Sequence, residues 1–135
     1  MSLEVSIRGY LLDTHIAIWA LGTPEVLTAP TRKAVLTGPN FLSVISYWEV
    51  VLKSMKGTLD VGDPRLWWLN ALEQLAATPL VLKPRHIAEV CGLPPIHKDL
   101  FDRVLMAQAI ADGLTLVSRD GAVARYASEG LRVIG

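Results

Sequence analysis

Cysteine is almost missing from this chain of 135 residues: Cys91 stands alone, which excludes an intrachain disulfide and any zinc site built on thiolates. A single cysteine in an apolar helical stretch is expected in the core. Net charge is missing too. Thirteen basic and thirteen acidic residues cancel, so there is no overall positive field of the kind that holds proteins on nucleic acid. Any such contact must come from a local patch or a bound cation. No apolar run approaches the ~20 residues that cross a bilayer, and no basic leader with a small-residue cleavage site is seen. A cytoplasmic protein with no membrane contact is expected. Repeats, low-complexity tracts and linkers are also lacking. One domain over residues 1–135 is expected, with residues 1–7 as a frayed or vector-derived lead-in.

What the chain has in excess is apolar side chain, at 51% of residues, above the usual range for a soluble domain. Two explanations are open: surface covered by a partner or second copy, or a sheet buried on both faces. Short apolar runs at 10–12, 41–45, 80–82, 114–117 and 132–134 read as strands. Helices are expected at 14–21, up to 37 before Gly38-Pro39, and at 46–56, 64–77, 84–91, 99–112 and 120–127. Asp63 and Asp99 are expected N-caps, with Pro64 in a first helical position and Gly57 and Gly113 ending helices. Such alternation implies an α/β fold: three layers, α/β/α, around a central, mainly parallel twisted sheet.

Four acids fall in comparable places on that scheme. Asp13 follows the first strand and Asp120 lies just beyond the fourth, while Glu49 and Asp102 sit in first helical turns. Helix N-termini and strand C-termini share one edge of a doubly wound sheet, the edge where such folds carry their sites. Gathering four carboxylates is costly, because like charges ~4–6 Å apart raise one another's pKa. Hard divalent cations remove that cost with oxygen ligands, and a pair of them ~3.5–4 Å apart promotes phosphodiester cleavage. Each acid also has a purely structural reading. Ser46-Tyr47-Trp48-Glu49 fits a capping box. Of Asp99 and Asp102, Asp99 is assigned the cap, and Asp120 is in position to cap the helix after it. Asp13 has no capping role in this reading. An aspartyl-phosphate phosphatase does not fit, since Thr14 and His15 follow Asp13 with no second Asp two positions on.

At these positions the chain resembles the PIN-domain family, in particular the VapC-type toxins of bacterial toxin–antitoxin pairs. The resemblance lies in Leu11-Leu12-Asp13-Thr14-His15 with Trp19-Ala20-Leu21, and in Ser43-Val44-Ile45-Ser46-Tyr47-Trp48-Glu49 with Lys53 and Gly57-Thr58-Leu59. It continues in the block from His97 through Asp99, Asp102 and Arg103 to Ala109, and in Leu114-Thr115-Leu116-Val117-Ser118-Arg119-Asp120 with Ala124-Arg125-Tyr126. It covers about residues 10–134 in order. What it implies is an endoribonuclease dependent on Mg²⁺ or Mn²⁺, with Asp13, Glu49, Asp102 and Asp120 as the metal-binding and catalytic acids. Asp13 and Asp102 are the implied principal ligands, with Thr14 and Ser46 as auxiliary residues. The resemblance also implies a homodimer and a cognate antitoxin that blocks the site.

Lys53, Lys98, Arg103 and Arg119 lie beside the acids in sequence and suit an RNA phosphate. Ordinary solvated surface is their alternative. Trp48, Trp67 and Trp68 read as core or interface rather than base-stacking platforms. The helix at 64–77, with Trp67, Trp68 and Leu72, is the expected dimer surface. Two other readings of the site stand: a PIN-fold RNA-binding or RNA-processing module without strong cleavage, and a DNA nuclease or phosphohydrolase on the same acids.

Overall fold

The computed structural model describes residues 8–95, 99–126 and 130–135; residues 1–7, the candidate Lys98, and His97 at the start of the family-like block lie outside them. Five strands, β1 (Tyr10–Leu12), β2 (Asn40–Ser43), β3 (Ala77–Leu80), β4 (Thr115–Val117) and β5 (Arg132–Ile134), form one sheet in the order β3-β2-β1-β4-β5. Every pairing is parallel, as in Tyr10↔Asn40 and Leu12↔Val117. Side chains alternate across the sheet. Tyr10, Leu12, Leu42 and Val117 enter one core with Ile16 and Ala17 of α1 (Thr14–Gly22), Ala34 of α2 (Ala29–Thr37), Val50 of α3 (Val44–Met55) and Trp67 and Ala71 of α4 (Pro64–Gln74). Leu11 and Leu116 enter the other, with Leu105 and Met106 of α6 (Leu100–Asp112) and Val123 of α7 (Gly121–Ala124). The result is the three-layer α/β/α arrangement. Burial on both faces accounts for much of the apolar excess. No helix among the described residues is long and apolar enough to cross a membrane.

Some boundaries differ from the sequence expectation. α4 stops at Gln74 and Ala76 takes φ 47°, so β3 begins at Ala77 and pairs it with Asn40; a strand at 80–82 would have missed that register. α3 starts at Val44 because Ser43, the last residue of β2, caps it by accepting from the Ile45 N–H at 3.0 Å. Cys91 is exposed, beyond the end of α5 (Pro84–Val90), rather than in the core. Trp67 is only 8% exposed and belongs to the core, while Leu66 and Leu69 form the exposed apolar face of α4. Trp68 stacks on Tyr47, with ring centroids 4.9 Å apart.

α6 carries Asp102 near its start and Asp112 at its end, where a carboxylate opposes the helix dipole. Arg85 and the fully buried His86 of α5 offset this. Arg85 Nη2 lies 2.9 Å and His86 Nε2 3.1 Å from the Asp112 carboxylate. His86 Nδ1 accepts the Lys83 N–H at 3.0 Å, so the ring proton sits on Nε2 and is donated to Asp112. Burial alone would raise the Asp112 carboxyl, but these partners hold it below the usual range. The stability it contributes is present above its ordinary pKa and is lost as pH falls through the lowered one. Asp112→Ala is expected to leave His86 Nε2–H buried without its acceptor and to cost about 1–3 kcal/mol in urea unfolding. An unchanged midpoint would contradict this role.

Candidate active site

The order β3-β2-β1-β4-β5 places the switch of chain direction at β1 and β4. The loop after β1 leads to α1 on one face, and the loop after β4 leads to α7 on the other. The crevice between two such loops is where open parallel sheets bind ligands. A cleft of about 380 Å³ opens there, lined by Asp13, His15, Trp19, Glu49, Asp99, Asp102, Arg119 and Asp120.

Asp13 stands at the mouth of the central strand, with its N–H bonded to the Val117 carbonyl of β4 at 3.0 Å. Contrary to the sequence reading, it is the N-cap of α1: Oδ1 accepts the Ile16 N–H at 3.0 Å. A cap usually faces water, but Asp13 is 7% exposed. Burial raises its carboxyl above the ordinary value; hydrogen bonds from Ser118 and Ile16 and the nearby His15 work against the rise, and the Glu49 charge adds to it. A cation in the cleft would relieve it.

Glu49 belongs to the second turn of α3, not the first, because the helix begins earlier than expected. The Ser46–Glu49 capping box therefore does not form. Instead Glu49 Oε1 accepts from the Thr14 hydroxyl at 2.6 Å, and Oε2 pairs with Lys53 Nζ at 2.6 Å. Thr14 Oγ1 also lies 2.9 Å from Ser46 Oγ. Since Thr14 has one proton and Glu49 takes it, Ser46 supplies the proton of that second bond. Ser46, Thr14 and Glu49 are all buried, so this chain fixes the carboxylate. Burial alone would lower the Lys53 ammonium, but Glu49, with the charges of Asp99 and Asp102, carries it above the usual lysine range.

Asp99 caps α6 as expected, with Oδ1 accepting from Phe101 N–H at 2.9 Å and Asp102 N–H at 3.3 Å. It also lines the cleft, which the sequence reading missed. Asp102 sits in the first turn of α6. Asp120 both lines the cleft and caps α7 through the Ala122 N–H at 2.8 Å. Arg103 departs from the sequence assignment: its guanidinium bonds the carbonyls of Pro94 (2.9 Å) and Leu93 (3.2 Å), pinning that loop. Arg119 does face the cleft, beside Trp19, to which the sequence reading gave no role in the site.

The donors on offer are carboxylate oxygens, which suit a hard cation. Among the described residues no three His, Cys, Asp or Glu side chains are close enough to share one ion. A divalent cation of the Mg²⁺ kind needs only one or two carboxylates, with water completing its shell.

The PIN domain profile matches residues 10–129 of the chain. The chain belongs to the PIN domain family. A relative of this PIN domain, ribonuclease VapC22 of Mycobacterium tuberculosis, is 29% identical over 112 residues, covering 82% of this chain and 85% of that protein. Two solved structures share the fold over 93% of this chain and 96% of theirs. One is VapBC2 of Rickettsia felis bound to a promoter DNA fragment (TM-score 0.65, 14% identity); the other is FitAcB of Neisseria gonorrhoeae (TM-score 0.64, 20% identity). At such identities the likeness is one of fold.

Proposed function

We propose that this PIN domain is an endoribonuclease, the toxin of a toxin–antitoxin pair, with Asp13, Glu49, Asp102 and Asp120 as its metal-binding and catalytic acids. The observation that carries this reading is the convergence of these acids on one cleft around a buried Asp13 whose ionisation is disfavoured without a cation. Asp13 and Asp102 would hold Mg²⁺ or Mn²⁺, with Glu49 and Asp120 contributing through water. Such an ion, when bound, supplies charge stabilisation at the phosphoryl oxygens and a more acidic water. The residues of the chain do the rest. Thr14 and Ser46 hold Glu49 in one orientation, and Lys53 offsets part of its charge. Asp99 and Asp120 fix the helix ends that carry the neighbouring groups.

The relative's name and the toxin–antitoxin complex from Klebsiella pneumoniae that shares this fold (TM-score 0.61) support RNA as substrate and an antitoxin as partner. A homodimer in the cytoplasm completes the proposal. Exposed Trp48, in edge contact with Phe101 at 5.8 Å, and exposed Leu100 offer a better dimer surface than Trp67 does. The test is incubation of the purified chain with single-stranded RNA and, separately, DNA, with Mg²⁺, with Mn²⁺ and with chelator. RNA cleavage with either ion and none with chelator is expected. Cleavage that persists in chelator, or of DNA alone, would refute the reading.

A further inference from the structure

We infer that Arg119, seated on the Trp19 ring, forms a phosphate subsite of the cleft and takes a backbone phosphodiester of single-stranded RNA; the inference rests on the ribonuclease reading above. The charge of the cleft poses the problem. Its described lining brings the carboxylates of Asp13, Glu49, Asp99, Asp102 and Asp120 together with the Arg119 guanidinium. Lys53 is paired with Glu49 and Arg103 is bonded to loop carbonyls. Cations bound to the acids relieve repulsion of a polyanion, but they hold it only at the acidic wall. A fixed positive group elsewhere in the lining would set where the rest of the strand lies.

Arg119 is built for that task. It leaves the loop after β4, yet two other elements hold it. Its Cζ lies 5.7 Å from the centre of the Trp19 ring of α1, and Nη1 donates to the Val26 carbonyl at 2.8 Å. The attraction of a cation for an indole face acts at this distance. A guanidinium has five N–H donors in a rigid fork, and Val26 takes one. That fork matches two phosphate oxygens at once, and a group already held in place loses less freedom on binding. His15, with its ring 5.7 Å from that of Trp19 and tilted by 49°, extends the same wall beside Asp13.

The test uses a labelled single-stranded RNA oligonucleotide and the full-length chain. Cleavage with Mg²⁺ is measured for the parent, Arg119→Gln, Arg119→Lys and Trp19→Leu; binding is measured in an Asp102→Asn background between 50 and 200 mM salt. Arg119→Gln is expected to raise KM about tenfold or more, the loss of a charge-assisted bond, with kcat little changed. It should also make log K against log salt shallower by ~0.7, one single-strand phosphate contact. Arg119→Lys should restore the salt slope but only part of KM, having the charge without the fork. Trp19→Leu should raise KM roughly threefold through loss of the ring contact, at an unchanged slope. A raised KM with a parental slope in Arg119→Gln would mean a structural role only and overturns the inference. If Arg119→Gln does not fold, parental KM in both Arg119→Lys and Trp19→Leu overturns it instead. A parent that neither binds nor cuts RNA removes the ribonuclease reading and this inference together. A cutting parent with an indifferent Arg119→Gln removes this inference alone.

Discussion

Asp13→Asn is expected to abolish RNA cleavage while making the metal-free protein more stable. The substitution keeps the side-chain oxygen that accepts the Ile16 N–H, and Asn caps a helix about as well as Asp, so α1 should form as before. What disappears is a buried charge. Burial, with a smaller contribution from Glu49, lifts the Asp13 carboxyl above its ordinary 3.8, despite Ser118, Ile16 and His15. A carboxyl whose folded pKa is raised imposes no penalty below its unfolded value and the full penalty above its folded one. The metal-free parent therefore loses stability as pH rises through that window. The Asn variant has no such loss and should melt higher at pH 7 in chelator. A gain of even 1 kcal/mol would read as about 3–5 °C in Tm for a chain of this size. Cleavage should fall on the order of 10³-fold, since a catalytic ion contributes several kcal/mol at 1.36 kcal/mol per factor of ten. Thermal melts in chelator and cleavage with Mg²⁺, run on the same samples, decide both halves. Parental cleavage by Asp13→Asn sinks the mechanism, and a lower Tm sinks the electrostatic account.

Asp102→Asn and Asp99→Asn are expected to separate by about two orders of magnitude in cleavage, although they lie three residues apart on the same cleft. Asp99 uses Oδ1 on the N–H groups of Phe101 and Asp102. Asn preserves those bonds, so stability should change by less than ~0.5 kcal/mol. Asp99 is not proposed as a ligand of the ion, and a fall of no more than about tenfold is expected from its lost charge. Asp102, in the first turn of α6, does not cap that helix. Replacing it should cost roughly 10³-fold in cleavage through the lost ion, with the fold intact. An RNA-binding module without cleavage would behave otherwise: no product from the parent, and RNA affinity nearly equal in both variants. Equal cleavage losses at Asp99 and Asp102 would remove the division of roles proposed for them.

Much of the scaffold was legible because its signals are local. The short strand before Asp13, the Asp63-Pro64 start of α4, the Asp99 cap and the αL Gly113 that closes α6 each act within a turn of chain. The alternation of strands with helices then fixed the three-layer class, and strand ends with helix starts indicated which edge the acids share. Where α3 begins was not legible, because Ser43 and Ser46 are equally good local caps. Tertiary contacts chose between them: Ser43 Oγ donates to Gln108, 65 residues on, at 2.5 Å, and Ser46 is bonded to Thr14. The same choice freed Glu49 from a capping box and turned it toward Thr14 and Lys53. The double role of Asp13 as cap and cleft carboxylate also escaped local reading, since the sequence states that it follows a strand but not how deeply it is buried. Arg119 meets Trp19 and Val26 only because β1 and β4 are neighbours in the sheet. Backbone preferences and caps act over a few residues, whereas a side chain's partner is set by strand order, which joins positions a hundred residues apart.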